Sequence, residues 1–231
     1  MDRIKNVAII GDFNGDSQSH VATNAALVHS AEHLGFSLSC DWVGTETIAG
    51  RFERIVSAYD AFLIAPGGPC RDRDAVLRVI EHARLNGRPV LGTCGGFQQM
   101  VIEYARNVLL IEEAEHAEYR PDATALVVTP LTCNLKGRPL AITLKAGESW
   151  LWAIYGASPI LESYNCSYGI APVYQSLFDQ SGFVNVGTDD TGEARILQLR
   201  GHRFFIAALF LPQINSAPGN PNKLITAFLQ A

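Results

Sequence analysis

Short apolar runs alternate with amphipathic stretches over roughly the first hundred positions of the chain. Each run ends near a Gly or Pro and is followed by apolar residues at helical spacing, as at Val76, Val79, Ile80 and Ala83. The predicted order is strand 6–10, helix 21–34, strand 36–43, helix 48–59, strand 61–65, helix 72–85 and a strand just before Gly92. This alternation favours a mostly parallel sheet with helices on both faces, which binds ligands at the carboxyl ends of its strands.

From about residue 123 the pattern changes to short strands separated by turn residues. The predicted strands are at 124–128, 139–144, 150–155, 182–186, 194–199 and 204–210, and a final helix is at 222–230. Short strands divided by turns are typical of antiparallel hairpins, which we place at the edge of the parallel sheet. No repeat, low-complexity tract or linker divides the sequence, so residues 1–231 are predicted to form a single domain.

The most distinctive local pattern is a cysteine beside glycines at the point where a strand meets a helix. The apolar strand at 89–92 leads to Cys94, and Met100, Val101 and Tyr104 then share one helical face. A strand, a sharp turn and a helix with the nucleophile at the turn form a nucleophile elbow, in which glycines permit strained backbone. The positive end of the helix dipole favours a thiolate there. The other interpretation of Cys94 is a small, inert core residue.

Composition narrows the function classes. The 231 residues are 48% hydrophobic and 18% charged, which is ordinary for a globular domain with a sizeable core. A net charge of −5 without a basic stripe argues against a nucleic-acid partner, and no apolar run is long enough for a membrane helix. The first residues lack a signal peptide, so a cytoplasmic protein is expected. No P-loop or Rossmann spacing is present, and we expect no cofactor and no metal.

The cysteines suggest a reducing environment. They are odd in number, widely spaced and without a CxxC pair, which favours free thiols over a disulfide framework or a zinc site. They are Cys40, Cys70, Cys94, Cys133 and Cys166.

Two charged residues lie on the helix that follows the elbow. Glu103 and Arg106 are three positions apart and are therefore neighbours on the helix surface. We expect them to form an ion pair that anchors this helix.

The sequence GTCGGFQ at 92–98 resembles the G-x-C-x-G-x-Q signature of class I glutamine amidotransferases. Other segments, in the same order, resemble the C-terminal glutaminase domain of CTP synthases. They are PGG at 66–68, AEHAEY at 114–119 for the family's A-N-S-T-E-F, IYG at 154–156 with Ile160 and Glu162, and FLPQ at 210–213 for F-H-P-E. The resemblance covers about residues 6–229 and implies a flavodoxin-like α/β fold with antiparallel additions.

The resemblance also implies a reaction, in which a cysteine attacks the side-chain amide of glutamine and releases ammonia. Cys94 is then the nucleophile, and the backbone N–H groups of Gly68 and Gly95 stabilise the oxyanion. Residues at the positions that hold the ligand are Gln98, Glu118, Ser167 and Tyr168.

Three departures argue against ordinary glutaminase activity. Leu211 stands where the family has the triad histidine, and Gln213 where it has the triad glutamate. Neither side chain can act as a general acid or base. A positioned acid–base group increases the rate of a reaction by a factor of roughly 10²–10⁴. Ser167 replaces the arginine that holds the glutamine carboxylate in the family. A ligand with an amine or amide but without that carboxylate fits these residues better.

Several residues offer replacements for the missing groups. His116, two residues before Glu118, and His20, after the first strand, are candidates for an acid–base group, with a surface or loop position as the alternative. Cys70 and Cys166 flank segments near Cys94, so the three thiols allow disulfide chemistry or capture of a soft metal. The alternative is that both are incidental loop residues.

Three functions remain open on these grounds. The first, which we favour, is a Cys94-dependent hydrolase or transferase acting on a non-glutamine amide, ester or thioester. The second is an inactive homologue that binds a small molecule or a partner protein. The third is a glutaminase subunit that works with a separate synthase.

Overall fold

The computed structural model describes residues 4–132, 137, 139–145, 147 and 150–231. Its strands are β1 (Ile4–Ile10), β2 (Ser37–Val43), β3 (Ala61–Ile64), β4 (Val90–Thr93), β5 (Ala114–His116), β6 (Ala125–Pro130), β7 (Pro139–Leu144), β8 (Ile160–Ser163), β9 (Tyr168–Ile170), β10 (Phe183–Thr188), β11 (Ala194–Leu199) and β12 (Phe205–Ala208). Its helices are α1 (Gln18–Leu34), α2 (Phe52–Ala58), α3 (Arg73–Leu85), α4 (Gly95–Asn107), α5 (Leu151–Tyr155), α6 (Pro172–Ser181) and α7 (Lys223–Gln230). Cys133 lies outside the described residues.

A large mixed sheet organises the described part of the chain. Its strand order is β2-β1-β3-β4-β12-β11-β10-β7-β8. The pairs from β2 to β12 are parallel, with Leu91 opposite both Leu63 and Ile206, and the pairs from β12 to β8 are antiparallel. A small sheet of order β5-β6-β9 lies apart from it. The predicted α/β fold, with a parallel sheet and antiparallel additions, is confirmed.

The central strands are buried on both faces, which explains their continuous apolar sequences. Every residue of β3 and β4 is buried, and so are the last four of β1. The helix boundaries follow local signals. Asp72 caps α3 by accepting a hydrogen bond from the Ala75 N–H, and α1 ends at Gly35, whose φ is 65°. None of the helices that the structure describes is both long and apolar enough to cross a membrane.

Some predicted elements are wrong. Residues 150–155 form helix α5 rather than a strand, with Leu151 and Tyr155 buried one helical turn apart and Gly156 ending the helix at φ 66°. Helix α6 was not predicted because Phe178 is its one buried residue, which leaves little apolar periodicity. The helix predicted at 48–59 is shorter, since two 3₁₀ turns precede α2.

The expected Glu103–Arg106 ion pair is also wrong. The Glu103 carboxylate is fully buried and accepts hydrogen bonds from Arg84 of α3, at 3.1 Å from Nε and 2.7 Å from Nη2. Arg106 instead donates to Glu115 of β5 at 2.6 Å, a carboxylate that Arg73 of α3 also binds. These pairs join α3, α4 and β5, the elements that surround the elbow.

We expect Arg84→Ala to lower the free energy of unfolding by about 3–5 kcal/mol, because it leaves the buried Glu103 carboxylate unpaired. Urea unfolding of the purified protein measures this loss. Arg71→Ala is the matched control, since the Arg71–Glu46 pair at 3.1 Å is exposed and contributes about 0–1 kcal/mol. Equal losses in the two variants would contradict this account of the Arg84–Glu103 pair.

Candidate active site

The predicted elbow is present at the carboxyl end of β4. Cys94 follows Thr93 with φ 51° and ψ −105°, a strained conformation for a residue with a side chain, and α4 begins at Gly95. The Cys94 N–H donates to the Ala208 carbonyl at 2.9 Å, which ties the turn to the end of β12. The sharp turn places the sulfur at the N-terminus of a 13-residue helix.

Another backbone segment comes so close to the elbow that two of its positions have no room for a side chain. A Cβ on Gly95 would overlap the Gly67 carbonyl oxygen, and a Cβ on Gly96 would overlap the Ile64 carbonyl oxygen. Helix α4 therefore begins in direct contact with the end of β3 and the PGG loop at 66–68. This contact brings Gly68 into the lining of the cavity that also contains Cys94.

The PGG loop is held by a histidine. His20 accepts a hydrogen bond from the Asn14 N–H through Nδ1 at 3.0 Å, so its Nε2 carries the proton and donates to the Pro66 carbonyl at 2.9 Å. Both ring nitrogens of His20 are thus engaged in positioning the loop. Within the described residues, no backbone carbonyl accepts a hydrogen bond from the N–H group of Gly68 or Gly95. Both N–H groups remain free to bind an oxyanion.

A cavity of about 340 Å³ opens beside Cys94. It is lined by the predicted site residues Gly68, Gly95, Gln98, Glu118, Ser167 and Tyr168, together with Cys166. Tyr119 and Asn165 also line it and were not singled out in the sequence. Tyr119 could have been found because it stands at the phenylalanine of the family's A-N-S-T-E-F segment.

His116 lies behind the cavity and holds Gln98 in place. The Gln98 side chain donates to the Tyr168 carbonyl at 3.1 Å and accepts from His116 Nε2 at 3.2 Å, while His116 Nδ1 accepts from the Glu118 N–H at 3.0 Å. Burial, with a smaller effect of the Arg73 charge, lowers the pKa of His116 to about 4. The ring is therefore neutral at pH 7 and acts as a hydrogen-bond donor to Gln98.

Leu211 and Gln213, the residues predicted at the family's histidine and glutamate positions, are both buried. The Leu211 N–H donates to the Ser163 carbonyl at 2.8 Å. Gln213 donates to Thr93 Oγ1 at 3.3 Å. Among the described residues that line the cavity, Glu118 is the one carboxylate, and no His, Lys or Arg is present. The Cys94 sulfur therefore has no imidazole beside it in this part of the chain.

The sulfur of Cys94 has a different neighbour. Cys94 and Cys166 are joined as a disulfide, with Cα atoms 6.1 Å apart. This corrects the expectation that all cysteines are free thiols, which composition could not test because the partners are 72 positions apart. Cys70 does not join them. It remains free and lines a separate cavity of about 270 Å³ with Asp12 and His20.

Comparisons with a family profile and with individual sequences point to the same family. The sequence profile of "Glutamine amidotransferase class-I" matches residues 18–135. A CTP synthase of Picosynechococcus sp. is 32% identical over 240 aligned positions, covering 100% of this chain and 44% of that protein. A CTP synthase of Microcystis aeruginosa is 30% identical, covering 97% of this chain and 43% of that protein. The chain thus spans less than half the length of these relatives.

Solved structures share the fold. The glutaminase domain of Trypanosoma brucei CTPS with bound acivicin superposes with a TM-score of 0.89 at 22% identity, covering 97% of this chain and 92% of that one. A glutamine amidotransferase from Thermotoga maritima has a TM-score of 0.58 at 10% identity, covering 90% of this chain and 76% of that one.

We expect stability to fall as the pH is lowered from about 6.5 to 4, partly because of His116. Its pKa in the folded protein is about 4, below the ordinary value of 6.5, so the unfolded chain binds a proton first. The stabilising contribution is complete above pH 6.5, is lost towards pH 4, and amounts to at most roughly 3 kcal/mol. Urea unfolding of wild type and His116→Asn across this range measures it. Parallel pH profiles for the two proteins would contradict the assignment.

Proposed function

The chain belongs to the class I glutamine amidotransferase family, and we propose that it is a cysteine-dependent acyl-transfer enzyme that uses Cys94 on a substrate other than glutamine. One observation carries the proposal. The elbow sulfur and two free backbone donors, the N–H groups of Gly68 and Gly95, share a cavity whose described lining contains no imidazole. Such a site has the parts for attack and oxyanion stabilisation but lacks an imidazole that would protonate an amide leaving group.

The chemistry of the leaving group then selects the substrate. In amide cleavage the departing nitrogen must be protonated, and a positioned acid supplies roughly 10²–10⁴ of the rate. A thioester or an activated ester expels a thiolate or a stabilised alkoxide, which needs no proton. In the proposed reaction Cys94 attacks the acyl carbon, the bond to the leaving sulfur or oxygen breaks, and the acyl group remains on Cys94. Water or a nucleophilic acceptor then takes the acyl group and releases the Cys94 thiolate.

Tyr119 supports the oxyanion in this scheme. A Cβ on Gly68 would lie 2.5 Å from the Tyr119 hydroxyl oxygen, so this hydroxyl lies against the PGG loop. Burial and, to a smaller extent, the charge of Glu118 raise the pKa of Tyr119 to about 12, which keeps its proton in place at neutral pH. The hydroxyl can therefore donate a third hydrogen bond beside those of Gly68 and Gly95.

The charges of the cavity favour a substrate that carries an ammonium group. Glu118 lies at the cavity and no cationic side chain is among its described lining residues. Ser167 occupies the position of the family's carboxylate-binding arginine. Tyr119 and Tyr168 also line the cavity, and an aromatic ring attracts a cation. We therefore propose an aminoacyl thioester or ester without a free carboxylate as the substrate class.

A second candidate is a homologue that binds such an amine without chemistry. The observation in its favour is that the Cys94 sulfur is bonded to Cys166, which removes the nucleophile in this state. The two candidates differ in whether the reduced protein forms an acyl-enzyme.

We expect the reduced protein to form a covalent acyl adduct on Cys94 with a glycyl thioester, and to form it more slowly with the N-acetylated thioester, which lacks the cation. Peptide mass mapping after a brief reaction locates the adduct. Cys94→Ala removes it, whereas Cys70→Ser, which changes a thiol of the separate cavity, leaves it unchanged. Binding without an adduct would support the second candidate. Ammonia release from glutamine at the rate of a glutaminase would contradict both.

We expect Tyr119→Phe to lower kcat for the thioester by up to roughly 10²–10³, the range for loss of one oxyanion donor, with little change in KM. The variant keeps the ring and removes only the hydroxyl. Steady-state kinetics with the substrate that forms the adduct measures the change. A rise in KM at constant kcat would instead assign Tyr119 to substrate binding.

A further inference from the structure

The described cysteines fall into two chemically different groups. Cys40 and Cys70 are free, and burial, together with the nearby carboxylates of Asp41 and Asp12 respectively, raises their pKa. They remain protonated thiols and react slowly with oxidants. Cys94 instead lies at the N-terminus of α4, opens to a cavity and is 8% exposed. A small oxidant that enters this cavity meets Cys94 first.

Cys166 is held where a second sulfur would be needed. It lies in the segment between β8 and β9, is 2% exposed, and its Cα is 6.1 Å from that of Cys94. Disulfides span Cα separations of about 4.4–6.8 Å, so the backbone is already positioned for the bond. Cys94 and Cys166 line the same cavity, and the described lining contains no His, Lys or Arg.

A backbone carbonyl oxygen lies near each of the two sulfurs. The Asn165 carbonyl oxygen is 3.7 Å from Cys94 Sγ, and the Leu209 carbonyl oxygen is 3.1 Å from Cys166 Sγ. Each thiol therefore has a hydrogen-bond acceptor when the sulfur–sulfur bond is open. Backbone acceptors for both thiols are therefore already close to the sulfurs in the disulfide state.

We propose that Cys94 and Cys166 form a reversible redox pair, which a hydroperoxide closes and a dithiol reductant opens. The Cys94 thiolate attacks one peroxide oxygen, the O–O bond breaks, and an alcohol (or water, from hydrogen peroxide) leaves after taking a proton from solvent. The resulting Cys94 sulfenic acid is attacked by Cys166, which loses its proton. The S–O bond breaks, water leaves and the disulfide forms. A dithiol restores both thiols by exchange through a mixed disulfide.

Closure of the pair switches off the site, a consequence that rests on the acyl-transfer function proposed above. The disulfide occupies the sulfur that would attack the acyl carbon. Acyl transfer is then expected to stop in the presence of peroxide and to return with dithiothreitol. The redox chemistry itself does not depend on that function and has its own readout.

The test uses the purified full chain, reduced with dithiothreitol, desalted and treated with hydrogen peroxide. We expect wild type to lose two iodoacetamide-reactive sites, to yield a Cys94–Cys166 cross-linked peptide without reductant, and to recover both sites with dithiothreitol. Cys70→Ser should behave in the same way. In Cys166→Ser, Cys94 should stop at a sulfenic acid that dimedone traps. Cys166→Ala provides the same arm if the serine variant does not fold, as judged by circular dichroism.

Three results would overturn the proposal. They are a dimedone adduct on wild-type Cys94 equal to that of Cys166→Ser, a cross-link of Cys94 to another cysteine, and a Cys94 that peroxide leaves fully alkylatable. If the cross-link forms but no acyl adduct is found with the reduced protein, the redox pair stands and the acyl-transfer function fails. If the acyl adduct forms without the cross-link, the acyl-transfer function stands and the redox pair fails.

Discussion

The structure depends on a contact between two stretches of backbone. Helix α4 begins so close to the end of β3 that Gly95 and Gly96 have no room for a Cβ against the carbonyls of Gly67 and Ile64. This contact forces the chain through the strained conformation of Cys94 and brings the PGG loop beside its sulfur. A hydrogen bond from the Cys94 N–H to the Ala208 carbonyl of β12, and one from His20 to the Pro66 carbonyl, hold the two sides in place. The strain at Cys94 is sustained because the surrounding sheet and helices leave the turn no alternative path.

Some side chains around this elbow position their neighbours through hydrogen bonds, and others form ion pairs or line the cavity. His20 and His116 use both ring nitrogens in hydrogen bonds, so each histidine positions a neighbour. The ion pairs that Glu103 and Glu115 form with arginines of α3 and α4 brace the elements from behind. The cavity itself retains one described carboxylate, several hydroxyls and two sulfurs. The described lining therefore holds the groups that the proposed oxyanion stabilisation and thiol chemistry need, without an imidazole.

These properties fit one another. A site without an imidazole is suited to acyl substrates with good leaving groups, since these groups can leave without being protonated. A cysteine that acts as the proposed nucleophile in an open cavity is also a target for oxidants. The placement of Cys166 gives such oxidation a reversible end point, because a disulfide can be reduced whereas a sulfinic acid generally cannot. The same sulfur thus serves both proposals.

Local sequence determined much of this protein. The alternation of apolar runs and helical patterns predicted the parallel sheet, and the glycines around Cys94 predicted the elbow, since both depend on neighbours along the chain. Leu211, Gln213 and Ser167 led the sequence to predict that the family's histidine, glutamate and arginine are replaced. Helices α5 and α6 were missed or misassigned because their few buried residues leave a weak period. Tertiary structure alone decided that Glu103 binds Arg84, that His116 faces Gln98, and that Cys166 lies against Cys94. Each of these contacts joins residues between 18 and 72 positions apart, a distance at which only the packing of the whole sheet determines which side chains meet.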